Sequence, residues 1–235
     1  MLDAIPDRLA DVRARIARAA GRAGRDPSSV RLVAVSKTFS ADHVRAAAAA
    51  GQREFGENKV QEALAKMDGL SGLPVRWHLI GHLQSNKARK AGARFDAIQS
   101  VDSVALLQKI DEGAREAGRT VQVLVQMDLA GEATKFGAAE EELPAILEAA
   151  AGTANVQLTG LMIIPPAAAD PEGARPYFAR LRALRDGLQA KGVDPAMLRD
   201  LSMGMSHDFA VAVEEGATIV RVGSAIFGTR TRLPS

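Results

Sequence analysis

Cysteine is absent from the chain, which removes disulfides, thiolate metal sites and cysteine nucleophiles from consideration. Aromatic residues are scarce. A single tryptophan, Trp77, and a single tyrosine, Tyr177, offer no row of rings on which nucleotide bases could stack. Charge of one sign is also lacking: 30 Lys and Arg against 28 Asp and Glu leave a formal net charge of +2, too little for a nucleic-acid-attracting field. The arginine-rich opening between Arg8 and Arg25 alternates with alanine and aspartate, as a solvated helix face does. No apolar run approaches the roughly 20 residues of a membrane span, and the N-terminus lacks the basic-then-apolar pattern of a secretory signal. These absences predict a cytoplasmic protein with neither membrane nor nucleic acid as partner; a monomer is the expectation, although nothing in the sequence fixes the oligomeric state.

What is present is a regular alternation of short apolar runs and longer helical stretches. The runs Leu32–Val35, Arg53–Phe55, Val75–Ile80, Ala97–Val101, Val121–Met127, Gln157–Met162, Asp200–Met203 and Ile219–Val222 predict strands. Between them Ala41–Ala50, Lys59–Met67, Ser85–Ala91, Ser103–Ala117, Glu140–Ala150, Pro176–Lys191 and Ser206–Glu215 predict helices, rich in Ala, Leu, Arg and Glu. Ser103 is placed to cap its helix, and Gly51, Gly92, Gly118 and Gly216 follow helical runs as stop signals. About eight strand–helix units in series imply parallel strands with right-handed crossovers. The chain length suits one closed α/β barrel, a (β/α)₈ TIM barrel. An open doubly wound sheet is the competitor, but no GxGxxG follows the first strand. The helix expected over Asp3–Ala20 is an extra element, on the barrel's N-terminal face or its flank. No linker or composition break divides residues 1–235, so a single domain is expected.

In such barrels chemistry sits on the loops after the strands. Lys37 ends the first strand, at the rim of an apolar run where desolvation favours a neutral, nucleophilic amine. Gly56-Glu57-Asn58 follows the second strand, and His78 lies in the third. The seventh runs into Ser202-Met203-Gly204-Met205-Ser206, where free backbone N–H groups and small hydroxyls precede a helix. Gly223-Ser224 follows Arg221 after the eighth. Loops after strands seven and eight are the recurrent phosphate site of this architecture. A rim lysine facing a phosphate cradle suggests a phosphorylated aldehyde held as a Schiff base, pyridoxal 5′-phosphate foremost. Sugar-phosphate aldolase chemistry remains the alternative on residues alone.

The motifs Val33-Ala34-Val35-Ser36-Lys37-Thr38, Phe55-Gly56-Glu57-Asn58, Trp77-His78-Leu79-Ile80-Gly81-His82-Leu83-Gln84-Ser85-Asn86-Lys87, Gly160-Leu161-Met162, Leu201 to Ser206 and Val220 to Gly228 appear in that order across nearly the whole chain. In these the sequence closely resembles the pyridoxal phosphate homeostasis protein family, related to the barrel domain of alanine racemase. One departure is Ile163-Ile164-Pro165-Pro166, where the family commonly carries Thr or Ser after Gly-Leu-Met. The resemblance implies a barrel of pyridoxal-phosphate fold type III with the cofactor covalently on Lys37. It implies the phosphate on Ser202, Ser206, Gly223 and Ser224, with Met203 and Gly204 in the same loop. Arg221 would face the pyridine nitrogen, and Asn58, His78 and Met162 would line the ring. His78 could equally be a satisfied core histidine, and Trp77, alternating with it, is expected to point away from the barrel interior.

Racemisation needs an acid–base group on each face of the cofactor–substrate adduct. Related racemases take the second, a tyrosine, from a further domain. The chain ends at Ser235 without one, and Tyr177 is expected in helix packing. The resemblance therefore implies a carrier and regulator of vitamin B6 and amino-acid balance, with apo pyridoxal-phosphate enzymes as possible recipients. A low-activity amino-acid racemase is the alternative.

Overall fold

The computed structural model describes residues 2–131 and 136–228. Eight parallel strands close into a barrel in sequence order: β1 (Arg31–Val35), β2 (Glu54–Glu57), β3 (Arg76–Leu79), β4 (Ala97–Val101), β5 (Val121–Gln126), β6 (Val156–Met162), β7 (Asp200–Ser202) and β8 (Ile219–Val222). Closure is made by β8 pairing with β1, Val33 opposite Arg221. The helices are α1 (Ile5–Arg22), α2 (Ala41–Ala49), α3 (Val60–Asp68), α4 (Ala88–Arg94), α5 (Val104–Glu116), α6 (Leu143–Ala151), α7 (Arg175–Ala190), α8 (Phe209–Glu214) and the one-turn α9 (Ser224–Phe227).

Alternation along the strands builds two cores. Outward residues such as Ala34, Phe55, Trp77, Leu79 and Val220 join the helices in one large apolar layer, with the Phe55 and Trp77 rings 5.8 Å apart. Inward, Val33, Leu124, Met162 and Ile219 form a small separate cluster inside the barrel. Trp77 thus points away from the interior, as its alternation with His78 requires.

The N-terminal helix covers a flank. Ile5, Leu9, Val12, Ile16, Ala19 and Ala20, spaced by three and four residues, are buried on one face of α1. That face lies against α8, α9 and α2, and the Arg15 guanidinium sits 4.5 Å over the Phe209 ring. Among the described residues after β8 the only helix is the single turn of α9, and α1 packs beside it and α8 on the outside of the barrel.

Several boundaries differ from the sequence reading. Strand β2 extends to Glu57, whose side chain is fully buried, so this carboxylate belongs to the sheet and not to the following loop. Helix α8 begins at Phe209, and Ser206 lies in the turn before it. Residues Ser85–Lys87 form a 3-10 turn ahead of α4. Gly51, Gly118 and Gly216 do take left-handed φ of 83°, 63° and 99° after their helices, and Ser103 Oγ accepts the Leu106 N–H at 3.3 Å. Gly92 does not stop its helix: it lies inside α4, where a Cβ would stand 2.2 Å from the Ile110 carbonyl oxygen of α5. Close helix approach is the reason for this glycine.

Candidate functional site

The C-terminal ends of the strands surround a cavity of about 550 Å³ lined by Lys37, Asn58, Ser206, Arg221, Gly223 and Ser224, together with Val35, Phe39, Ile80, Ile164, Met205, His207 and Gly228. Lys37 is delivered by the turn after β1, where Phe39 N–H bonds back to the Ser36 carbonyl at 3.0 Å. The next residue, Thr38, has φ +68°, a left-handed conformation that costs a β-branched residue on the order of 1–2 kcal/mol. The turn is anchored from behind. Lys66 on α3 donates to the Ser36 carbonyl at 2.8 Å and to Glu57 Oε1 at 2.5 Å, and Ser36 Oγ donates to the same carboxylate oxygen at 2.6 Å. This buried Lys66–Glu57 pair is a part of the site that the sequence reading missed. Its signals are a carboxylate closing an apolar run and a lysine nine residues on, with nothing to join them before folding.

Asn58 follows β2 directly. Its backbone is abutted by Gly81, where a Cβ would sit 2.3 Å from the Asn58 carbonyl oxygen. Its side-chain oxygen is buried at the cavity wall with no hydrogen-bond partner, which costs roughly 1–3 kcal/mol unless a ligand supplies one. Opposite, the Gly223 N–H donates to Ser206 Oγ at 3.1 Å, joining the loops after β7 and β8 into one polar cradle. Gly223 packs its Cα side on β1, since a Cβ would meet the Val35 carbonyl oxygen at 3.2 Å. Gly204, with φ +92°, makes the turn before α8, where a Cβ would collide with Ala212 at 2.5 Å. Asp208 accepts the Met205 N–H at 2.6 Å and steadies the same turn.

Arg221 on β8 is only 2% exposed yet reaches the cavity wall. Its Nη1 donates to Ser202 Oγ at 2.6 Å and its Nη2 to the Ile163 carbonyl at 2.8 Å. Burial draws this guanidinium down to about 10, with the Asp208 carboxylate opposing, so it remains a cation at neutral pH.

Of the residues expected at the site, Lys37, Asn58, Ser206, Arg221, Gly223 and Ser224 are brought together around the cavity. Five are placed elsewhere. Met162 belongs to the apolar cluster inside the barrel and Met203 to the outer core. Gly204 shapes the turn from behind. His78 is buried with both ring nitrogens engaged, Nε2 with Glu54 Oε2 at 2.5 Å and Nδ1 with Gln99 at 2.9 Å. Ser202, expected on the phosphate, is fully buried below the cradle, its hydroxyl committed to Gln99 Oε1 at 2.6 Å while accepting from Arg221. Position on β7 explains this: Ser202 is the last strand residue and points inward. Ile164, Met205 and His207 line the cavity without having been anticipated; His207 Nε2 also lies 3.2 Å from the Ala169 carbonyl.

Comparison with known proteins gives a consistent picture. Residues 8–231 match the family described as the N-terminal domain of alanine racemase. A pyridoxal phosphate homeostasis protein of Pseudomonas aeruginosa is 46% identical over 97% of this chain and 97% of that protein. The chain belongs to the pyridoxal phosphate homeostasis protein family. The structure of PipY, the COG0325 family member of Synechococcus elongatus, with pyridoxal phosphate bound is 44% identical, with a TM-score of 0.84 over 95% of this chain and all of that one. Alanine racemase of Corynebacterium glutamicum shares the fold, with a TM-score of 0.73 at 19% identity, and this chain covers 62% of it. No helix among the described residues is long and apolar enough to cross a membrane.

Proposed function

We propose that this protein binds pyridoxal 5′-phosphate in the cavity at the C-terminal end of its barrel, linked to Lys37, and serves to hold and hand on the cofactor in vitamin B6 and amino-acid homeostasis, without turnover of amino acids. The observation that carries this reading is the convergence of Lys37, Asn58, Ser206, Arg221, Gly223 and Ser224 on one cavity. The names of the family's members and the cofactor bound to PipY support it.

The residues fit the cofactor group by group. Ser206, held by the Gly223 N–H, and the backbone of Ser224 offer a hydroxyl and an N–H donor for a phosphate, with Gly223 letting it approach closely. The orphaned Asn58 oxygen accepts from a polar ring substituent or, with the amide turned over, the Asn58 Nδ2 group takes its place and donates to one. Arg221 presents donors and no acceptor to the ring nitrogen, so it keeps that nitrogen unprotonated. When bound, the cofactor supplies an aldehyde that condenses with an amine, with loss of water. Lys37 provides that amine, and the strained turn at Thr38 with the Lys66–Glu57 anchor behind it holds the lysine in place. An unprotonated ring is a weak electron sink, which suits storage better than catalysis. An incoming amine exchanging with Lys37 would free the cofactor for apo enzymes. We further propose that the protein works as a cytoplasmic monomer.

The test is reduction of the loaded protein with borohydride, followed by peptide mapping. The adduct is expected on Lys37, and Lys37→Ala should lose the visible absorption band while keeping its circular dichroism. Adduct only on Lys59 or Lys87 would overturn the assignment. Incubation of the loaded protein with L-alanine in deuterated water, followed by chiral analysis, should yield no D-isomer above buffer controls.

A further inference from the structure

The interior of an α/β barrel is normally filled with branched apolar side chains. Here a line of polar residues crosses it. Arg221 Nη1 meets Ser202 Oγ at 2.6 Å, Ser202 Oγ meets Gln99 Oε1 at 2.6 Å, Gln99 Nε2 meets His78 Nδ1 at 2.9 Å, and His78 Nε2 meets Glu54 Oε2 at 2.5 Å. The residues sit on β8, β7, β4, β3 and β2, and the Gln99–Ser202 bond joins strands that are not neighbours in the sheet. Ser202, Gln99, His78 and Arg221 are each at most 2% exposed.

The chemistry of the two ends fixes the direction of every bond. A guanidinium can only donate, and an ionised carboxylate can only accept. Burial pushes the Glu54 carboxyl up, but the hydrogen bond from His78, any charge on that ring, and the charges of Arg76 and Arg31 outweigh it and hold the group below its usual range, ionised at neutral pH. Starting from Arg221, Ser202 accepts and passes its own proton to Gln99 Oε1. That leaves Gln99 Nε2 to donate to His78 Nδ1, and the imidazole proton on Nε2 to face Glu54. Turning the Gln99 amide over would put two donors on Ser202 Oγ, strand the serine proton, and demand protons on both nitrogens of His78.

We propose that Glu54, His78, Gln99 and Ser202 form a one-directional positioning relay whose function is to set the orientation of Arg221 in the cavity and to couple its buried positive charge to the carboxylate of Glu54. Dipoles aligned along such a chain polarise one another toward the anionic end. Arg221 feels the Asp208 carboxylate but hydrogen-bonds only to a hydroxyl and a carbonyl among the described residues, so the relay joins it through hydrogen bonds to a carboxylate. This rests on the reading of the cavity as a pyridoxal-phosphate site, where the target of Arg221 is the ring nitrogen. The relay also gives His78 and Ser202 a role beneath the ligand.

Two measurements test it. In the ligand-free protein, nitrogen NMR of the histidine rings should show His78 neutral with its proton on Nε2. Gln99→Glu keeps the acceptor for Ser202 but cannot donate to Nδ1, so both nitrogens of His78 should then carry protons. A wild-type His78 protonated on Nδ1 would overturn the relay, whatever the cavity binds. In the loaded protein, Ser202→Ala and Gln99→Leu should each weaken pyridoxal 5′-phosphate binding about tenfold and shift its visible band, while competition by inorganic phosphate stays unchanged. Should Gln99→Leu fail to fold, the near-isosteric Ser202→Ala and Gln99→Glu carry the comparison. Unchanged spectrum and affinity in the folded variants would refute the proposal. A wild-type protein that gives no visible band and no Lys37 adduct would instead defeat the cofactor reading and leave the apo NMR result standing on its own.

Discussion

Lys66 and Glu57 show how much of a site can rest on residues that never touch the ligand. Glu57 is fully buried and Lys66 nearly so, and both hydrogen-bond to Ser36, the residue that precedes Lys37. Removing one member of a buried pair leaves the other charged and unpaired, which typically costs about 3–5 kcal/mol. Lys66→Met should therefore lower stability by roughly 3 kcal/mol in urea unfolding, and adding Glu57→Gln should recover part of that loss. A double variant no more stable than Lys66→Met alone would mean that the lysine acts through the Ser36 carbonyl and not through Glu57. Lys37 itself was legible because a lysine closing an apolar strand is chemically conspicuous. The pair behind it was not, because Glu57 reads as a loop residue and Lys66 as a solvated helix position until β2 and α3 are brought together. The same holds for Ser202: a serine beside Gly204 reads as a phosphate donor, and only its inward direction at the end of β7 places it under the cradle.

Among the elements, α4 and α5 approach each other backbone to backbone. Gly92 would bring a Cβ to 2.2 Å from the Ile110 carbonyl oxygen, and Gly113 on α5 would bring one to 2.0 Å from that of Arg89. Both obstacles are backbone atoms, so neither can swing aside. Gly92→Ala and Gly113→Ala are each expected to destabilise by about 1–3 kcal/mol through forced separation of the helices, more than offsetting the usual gain of alanine over glycine within a helix. Urea midpoints measure this, and a stabilised Gly92→Ala would show that the helices move apart freely. Apolar periodicity reveals α1, α5 and α7 almost to their ends, because each buries one continuous face. Helix α4 is shorter, and its glycine reads as a terminator; sequence alone cannot distinguish a glycine that ends a helix from one that lets another helix approach. Strand β7 offers three residues in the sheet, too few for an alternation pattern, and is placed by the units around it.

At the scale of the whole molecule, the barrel's closure has an electrostatic seam as well as a hydrogen-bonded one. Eight repeating units were enough to expect a closed sheet, since seven right-handed crossovers leave β8 beside β1. What the units could not reveal is that the lower interior is charged. Arg31 on β1 reaches Asp200 on β7 at 2.7 Å, across β8, and Asp200 is also bonded by Thr218 Oγ1 at 3.2 Å and Arg199 at 3.2 Å. Burial pushes the Asp200 carboxyl up, but the charge of Arg31 and the hydrogen bonds of Arg199 and Arg31 prevail and hold it below the usual aspartate range. A carboxylate with a depressed native pKa binds fewer protons when folded than when unfolded around its titration range, so stability rises with pH there. Its contribution is complete above the unfolded value, about 3.9, and is lost as pH falls through the lower folded value. Glu54 titrates with the same sign. Asp200→Asn should thus cost about 3 kcal/mol at pH 7, leaving Arg31 without its partner, and should cost progressively less as pH falls below the unfolded value and through the lower folded one. Urea unfolding followed from pH 7 downward reads the difference directly. A cost that does not change with pH would show that Asp200 closes the barrel through its hydrogen bonds alone, and that its charge contributes nothing to the seam.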